Sequence, residues 1–401
     1  MNEQLVVKNF GPIKDATVDF KRVTVFIGPT GGGKSTLAKL AAVFRDVRIY
    51  TSGQKGTIAS MTAYGIDTFL ENVSFLNWHG RLMNFRLMEG NWQIGSTQDE
   101  IFIQAQELAR RMQAAGNDMK AFLSGGREFK TTEAMRQRMN EIKQLDEESY
   151  VFFQNTIGPN RPFYFPAERI LLSILGATWP NLIGENINLP VTLLEFAKQY
   201  LIAREQIENL RLLDFDTDYQ HYNGNDTIKL SNGITLPLTK AASGIQSVTP
   251  LLVLLEHLSR NTEQAQSFII EEPELNLYPT AQQGLLNWLV EKCTKGENDL
   301  TITTHSPYLL AHFNLLLYAY QVAENHPDRA DDVAKIVPRE SWINPREFAA
   351  YHVEGQQDNG VRSIVNPETG LISYNGLDAT ANAETSEFEK LLDINAGLEV
   401  E

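Results

Sequence analysis

A single cysteine, Cys293, stands in this chain of 401 residues, so no disulfide can close within it. At helical spacing from Trp288 and Leu289 it reads as a core thiol, which suits a reducing cytosol. No run of about 18 uncharged apolar residues occurs, so nothing reads as membrane-spanning. Met1 to Phe10 carry no basic region followed by an apolar stretch, and no secretory signal is expected. Internal repeats and sustained heptads are missing too, which argues against a solenoid and against a long coiled-coil arm. Positive charge is scarce: 35 Lys and Arg against 50 Asp and Glu leave a net charge of −15. That balance argues against a globally electropositive nucleic-acid binder.

What remains is an ordinary globular composition, 42% hydrophobic and 21% charged, enough for one large or two modest domains. The acidity is uneven. Between Tyr50 and Phe165 there are 12 Lys and Arg against 13 Asp and Glu, so nearly all the negative charge lies elsewhere. Arg110, Arg111, Arg127, Lys130, Arg136, Arg138 and Lys143 could form a local basic face, although an ordinary solvated helix surface explains them equally simply.

The informative stretch is Gly28-Pro29-Thr30-Gly31-Gly32-Gly33-Lys34-Ser35, a complete G-x-x-x-x-G-K-S phosphate loop. It follows an apolar strand pattern (Val23, Val25, Phe26, Ile27) and leads through Thr36 into a helix pattern. That context distinguishes it from a chance Gly-rich turn. Its glycines let the backbone wrap a phosphate chain with N–H groups, and the helix start adds its positive end. Lys34 is expected to reach the β- and γ-phosphates of ATP, and the Ser35 hydroxyl to ligate Mg²⁺.

Three later features fit one machine. Phe268-Ile269-Ile270 is an apolar strand ending in Glu271-Glu272-Pro273. Parallel to the phosphate-loop strand, it would bring Glu271 to the metal and Glu272 to the attacking water as general base. Alone, two acids before a proline could be a polar cap. Thr304-His305-Ser306 ends the next apolar run, and His305 there could donate to the γ-phosphate and sense its loss. Ser243-Gly244-Ile245-Gln246 opens a helix, an ordinary N-terminus that is also an anion site. The phosphate loop is already complete, so a second anion site would most naturally meet a triphosphate on another subunit.

These residues together resemble the head of an ABC-type ATPase, in the SMC-like and OLD-like branch. Asn9-Phe10-Gly11-Pro12-Ile13, Pro166-Ala167-Glu168-Arg169 and Glu272-Pro273-Glu274-Leu275-Asn276-Leu277-Tyr278-Pro279 are similar to phrases in bacterial stand-alone ATPases of that branch, several of which serve anti-phage systems of the PARIS and Septu types. The resemblance covers roughly Leu5 to Leu310. It implies head-to-tail dimerisation or a larger homo-oligomer, with Ser243, Gly244 and Gln246 of one head closing on the ATP of the other. Ile245 replaces a usual second glycine, Glu271 replaces a usual Asp, and Glu168 and Arg169 stand where a glutamine loop is expected. OLD-like relatives often carry a C-terminal nuclease. The 96 residues after His305 include Glu340, Glu347 and Glu354 but no strand-end carboxylate cluster, which points to a separate effector protein.

The expected fold is therefore α/β: an ABC-type P-loop ATPase head, a mixed sheet with flanking helices, and an inserted helical lobe. Residues 1–49 carry the phosphate loop and 50–160 the helical lobe. Residues 161–378 carry the signature, carboxylate strand and switch histidine, and 379–401 an acidic tail. The expected function is a cytoplasmic, Mg²⁺-dependent ATPase whose ATP-driven assembly controls a partner, with no membrane contact. The rivals are a DNA-clamping repair or chromosome-maintenance ATPase, a nucleotide-gated scaffold with little turnover, and, more remotely, a transporter head.

Overall fold

The computed structural model describes residues 3–46, 48–71, 73, 75–80, 83–88, 90–96, 99–124, 132–157, 161–176, 189–212, 216–260, 265–356 and 360–373. The proposed acidic tail 379–401 lies outside them, as do Arg127 and Lys130.

The chain opens with the expected hairpin, β1 (Glu3–Phe10) and β2 (Ile13–Phe20), turning at Gly11 with φ 54°. β3 (Val23–Ile27) then enters a second, mostly parallel sheet. That sheet also contains β7 (Arg161–Phe165), β12 (Gln266–Glu271), β13 (Asp299–Thr304), β14 (Phe348–Val353) and β15 (Val361–Ser363). Its spatial order is β15-β14-β3-β13-β12-β7, all neighbours parallel except β14 with β15. Parallel strands covered on both faces read as continuous apolar runs, which is why Phe268-Ile269-Ile270 shows no polar alternation. All three are fully buried.

Alternation along these strands separates two cores. Val23, Val25, Ile27, Phe268, Ile270, Leu300 and Ile302 face one core, built with helices Val191–Gln206, Ser243–Ser259, Pro279–Cys293 and Pro307–Asn325. Phe26, Tyr164, Ile269 and Tyr351 face the other, built with α1 (Lys34–Arg45) and the antiparallel sheet of β1 and β2. Cys293 lies fully buried in the first core, and its thiol is held well above its ordinary pKa by burial and then by Asp299. A further sheet, β11-β10-β9-β8, is made of β8 (Asn209–Arg211), β9 (Thr217–Tyr222), β10 (Asn225–Leu230) and β11 (Thr235–Pro237). Asp226 pins it to helix Val191–Gln206 by accepting from Tyr200 at 3.0 Å and from Arg204 at 3.3 Å, and within the sheet it accepts from Tyr219 at 2.6 Å.

Arg45, at the end of α1, joins the two main sheets. Its Nε and Nη2 donate to Glu3 Oε2 at 2.9 and 2.7 Å, and its Nη1 to Ser267 Oγ at 2.8 Å and Asp299 Oδ1 at 2.7 Å. The guanidinium also lies 4.9 Å over the Phe20 ring. Burial works against its charge, but Asp299 and Glu3 outweigh it and hold the pKa above the ordinary value.

The reading of residues 50–160 as a single helical and irregular lobe needs correction. α2 (Arg48–Ala63) is helical, but β4 (Phe75–His79), β5 (Met83–Met88) and β6 (Asn91–Ser96) extend the first sheet to the order β2-β1-β4-β5-β6. β6 follows a turn at Gly90, with φ 76°. The period-two signal was present in Leu76 and Trp78, and in Phe85 and Leu87, all buried. The helical insertion is α3 (Asp99–Ser124) with α4 (Thr132–Ile157), 26 residues each. At 1.5 Å per residue each is about 39 Å long. Arg111 donates to both Glu148 oxygens at 2.9 and 3.0 Å, and Arg138 to Asp118 at 2.7 Å, so the two helices pair through opposed charges.

Candidate functional site

The phosphate loop is the turn between β3 and α1. Gly28, Gly31 and Gly33 have φ of 151°, 78° and 105°, a region that favours glycine. The loop is also crowded from outside. A β-carbon at Gly28 or Gly32 would sit 2.3 or 2.4 Å from the Val353 carbonyl oxygen. Lys34 is 5% exposed, and its Nζ donates to the carbonyls of Gly28 and Pro29 at 2.9 Å each. Burial lowers its pKa, opposed by the charges of Glu272, Glu274 and Glu271 in that order. Pro29, Thr30, Gly31 and Ser35 are exposed, while Thr36 is buried.

β13 stands between β3 and β12, so the two acids come in one strand removed from the phosphate loop. Glu271 is 6% exposed, and its Oε1 is buried and makes no hydrogen bond by distance and angle among the described residues. The phenol of Tyr164, on β7, is held well above its ordinary pKa by burial and then by the Glu271 charge. Glu272 follows with φ 41°, rare for a residue with a β-carbon. Its side chain remains accessible, and its Oε1 lies 3.1 Å from His305 Nε2. Lys34, Glu271, Glu272 and His305 thus gather at the carboxyl ends of three neighbouring parallel strands. Open α/β sheets bind ligands at that edge.

Ser243 and Gly244 open helix Ser243–Ser259, with Ser243 exposed. This helix packs on the opposite face of the parallel sheet from α1. The structure therefore does not bring Ser243 and Gly244 onto the face where α1 leaves the phosphate loop. Gln246 turns inward: its Nε2 donates to the carbonyls of Leu238 and Thr239 at 3.2 and 2.8 Å.

Residues 89–310 match the model of a family described as an AAA ATPase domain, just over half of the chain. The chain belongs to that family. The matched span holds helix Ser243–Ser259, β12 with its two acids and His305, and the phosphate loop precedes it. Over 141 residues the chain is 28% identical to an OLD nuclease of Thermus scotoductus (strain ATCC 700910 / SA-01), covering 34% of this chain and 26% of that protein. The chain spans about a quarter of that relative's length. Among solved structures, the Smc head domain of Pyrococcus furiosus bound to the C-terminal domain of ScpA is similar at 12% identity and a TM-score of 0.35. The match covers 78% of this chain and 91% of that one. The SMC head domain of Thermotoga maritima is similar at 13% identity and a TM-score of 0.37, covering 78% and 92%. No described helix is long and apolar enough to cross a membrane.

Three groups in this AAA-family site escaped the sequence reading as site residues. Glu274 is 8% exposed, and its Oε1 accepts from Thr304 Oγ1 at 2.5 Å and from the His305 amide at 3.0 Å. Burial raises its pKa, with the Thr304 hydrogen bond opposing. It holds the strand end that carries His305. The only signal was a third acid two positions beyond Glu272. Gly355, just past β14, donates its amide to the Gly32 carbonyl at 2.9 Å and accepts from the Lys14 amide at 2.7 Å. Nothing local in Val353-Glu354-Gly355 announces that contact. Arg169 was noticed only as a departure from a glutamine loop. It is fully buried and donates to four backbone carbonyls.

Proposed function

We propose that this AAA-family chain binds ATP with Mg²⁺ and hydrolyses it. The same reading has two heads associating head to tail around the nucleotide, each offering Ser243 and Gly244 to its partner's phosphates. The observation that carries it is the convergence of Lys34, Glu271, Glu272 and His305 on adjacent parallel strand ends. The phosphate loop supplies backbone donors for the triphosphate, and Lys34 exchanges its two carbonyl partners for phosphate oxygens. Ser35 and Glu271 would hold Mg²⁺. They fit it, because an exposed hydroxyl opens α1 and the buried Glu271 Oε1 makes no hydrogen bond by distance and angle among the described residues. The ion they would hold would supply positive charge against the phosphate oxygens of the nucleotide. Glu272 accepts the proton of the attacking water, and His305, donating to Glu272, keeps that carboxylate aimed.

A trans role for Ser243 and Gly244 is supported by their place on the far face of the sheet from α1, away from this chain's own phosphate loop helix. Gln246 supports that helix start from within through its bonds to Leu238 and Thr239. We assign the chain to the SMC-like and OLD-like branch and to bacterial anti-phage defence, where assembly controls a separate effector. The phrases around Gly11-Pro12, Ala167-Glu168-Arg169 and Glu272-Pro273-Glu274 support this, together with the local likeness to an OLD nuclease. A DNA-clamping role is less supported, because part of the basic face it would use is already paired. Arg110, Arg111, Arg138 and Lys143 each pair with an acid of the same hairpin.

Glu272→Gln is the test, since glutamine keeps the shape but accepts no proton. Light scattering should show an ATP-dependent assembly in Glu272→Gln, dissolved by adding Ser243→Arg without loss of nucleotide binding. Lys34→Ala should abolish binding in a calorimetric titration. Equal mass with and without ATP in Glu272→Gln rules out head-to-tail gating.

A further inference from the structure

We propose that Arg169 is a positioning residue that couples the signature helix to the general base, so that engagement of Ser243 and Gly244 sets the backbone of Glu272. The inference rests on the ATPase reading above and adds the link by which assembly would license hydrolysis.

Arg169 sits in the single turn Ala167–Arg169 that follows β7, and none of it is exposed. No carboxylate is among its hydrogen-bond partners in the described residues. Its donors go instead to carbonyl oxygens of three separate elements. Nη1 donates to Glu271 at 2.7 Å and Pro166 at 3.2 Å, Nη2 to Glu272 at 2.7 Å, and Nε to Ser247 at 3.2 Å. Burial pushes its pKa down to about 10, with the charges of Glu274, Glu272 and Glu271 opposing, so the guanidinium stays charged at neutral pH. A buried cation spread over carbonyl dipoles is a costly arrangement for filling space alone. Its geometry suits a rigid fork, because five donors in one plane fix the relative positions of all their acceptors.

The Ser247 end of that fork lies in the first turns of the signature helix, and a second tie reinforces it. Pro250, inside the helix, has no N–H for the Gln246 carbonyl four residues earlier. Ser173 Oγ donates to that carbonyl at 2.7 Å. The helix start is thereby bound to the segment carrying Arg169. The other end of the fork grips Glu271 and Glu272. Glu272 needs such a grip, since φ of 41° is an unfavourable backbone conformation for a residue with a β-carbon.

On the far side of the same loop, Gly244 presses against Asn276, itself at φ 64°. A β-carbon at Gly244 would lie 2.8 Å from the Asn276 carbonyl oxygen. The loop from Glu272 to Asn276 is therefore bracketed by the signature helix start at one end and by Arg169 at the other. A shift of that helix start against a partner's phosphates has a short, packed route to the Glu272 carboxylate.

The experiment is Arg169→Lys in the full chain, because one ammonium cannot serve four acceptors in a plane. A misplaced base costs about a hundredfold, so kcat should fall by about that factor while KM for ATP and calorimetric affinity stay within about twofold. The ATP-bound assembly should persist and accumulate in Arg169→Lys, as in Glu272→Gln, because binding and engagement are intact. A merely structural arginine would give another pattern: assembly, affinity and kcat lost together, with a lowered melting temperature. That pattern, or an unchanged kcat, overturns the proposal. Arg169→Met, measured beside it, should show the same split between kcat and affinity. Failure of the ATPase reading is told apart by the native chain, since absence of Mg²⁺-dependent turnover there refutes that reading and this inference together.

Discussion

Replacing Gly355 with alanine should weaken ATP binding although the residue is no part of the phosphate loop. Gly355 has an ordinary backbone conformation, so alanine brings no φ strain, and its effect is purely one of space. A β-carbon there would lie 2.5 Å from the Pro12 carbonyl oxygen, 2.7 Å from that of Gly32 and 2.8 Å from Ile13 Cδ1. Two of these are backbone atoms that cannot swing away. The segment after β14 must then separate from the phosphate loop, breaking the 2.9 Å bond from the Gly355 amide to Gly32. Gly32 lies in the stretch whose N–H groups are to cradle phosphate. A hydrogen bond to a charged group contributes about 1.5–3 kcal/mol. Losing one such donor should raise the dissociation constant roughly ten- to a hundredfold. Calorimetric titration of ATP in Mg²⁺ buffer measures this directly. Gly95→Ala is the control, because a β-carbon there meets nothing within 4 Å. An affinity for Gly355→Ala within twofold of the native chain would refute the reasoning that β14 braces the loop.

Arg45→Met should destabilise the fold by about 3–5 kcal/mol in urea denaturation, because it removes the buried cation that pairs with both Glu3 and Asp299. A loss below about 1 kcal/mol would show that the arginine is not what joins the two sheets. Glu274→Gln should change how stability depends on pH. The folded state raises the Glu274 pKa, so its contribution is full below the ordinary carboxylate range and is lost as pH rises through the raised value. Glutamine can still accept from Thr304 and His305 without that dependence. Urea midpoints should therefore favour Glu274→Gln at pH 8, with the advantage vanishing at low pH, and a constant difference would speak against it.

Features whose physics is local were legible before the chain was folded. The phosphate loop is legible because eight contiguous residues must wrap one anion, and glycines at positive φ have few other uses there. The core strands are legible because burial on both faces demands unbroken apolar runs such as Phe268-Ile269-Ile270. The Glu271-Glu272 pair and His305 could be placed at strand ends for the same reason.

Tertiary structure alone decided the rest. Strands β4 to β6 show only short alternation, and although Gly90-Asn91 marks the last turn, the strand that ties them to the first sheet, β1, lies about seventy residues before its partner β4. Pairing at that separation leaves little mark on local composition. Gly355 braces the phosphate loop from more than 300 residues away, through backbone atoms that carry no residue-specific signature. Arg169 meets only carbonyl oxygens, which every residue possesses, so no pattern of side chains could reveal its partners. Side-chain chemistry is written in the sequence, but contacts made to the backbone exist only once the chain has folded.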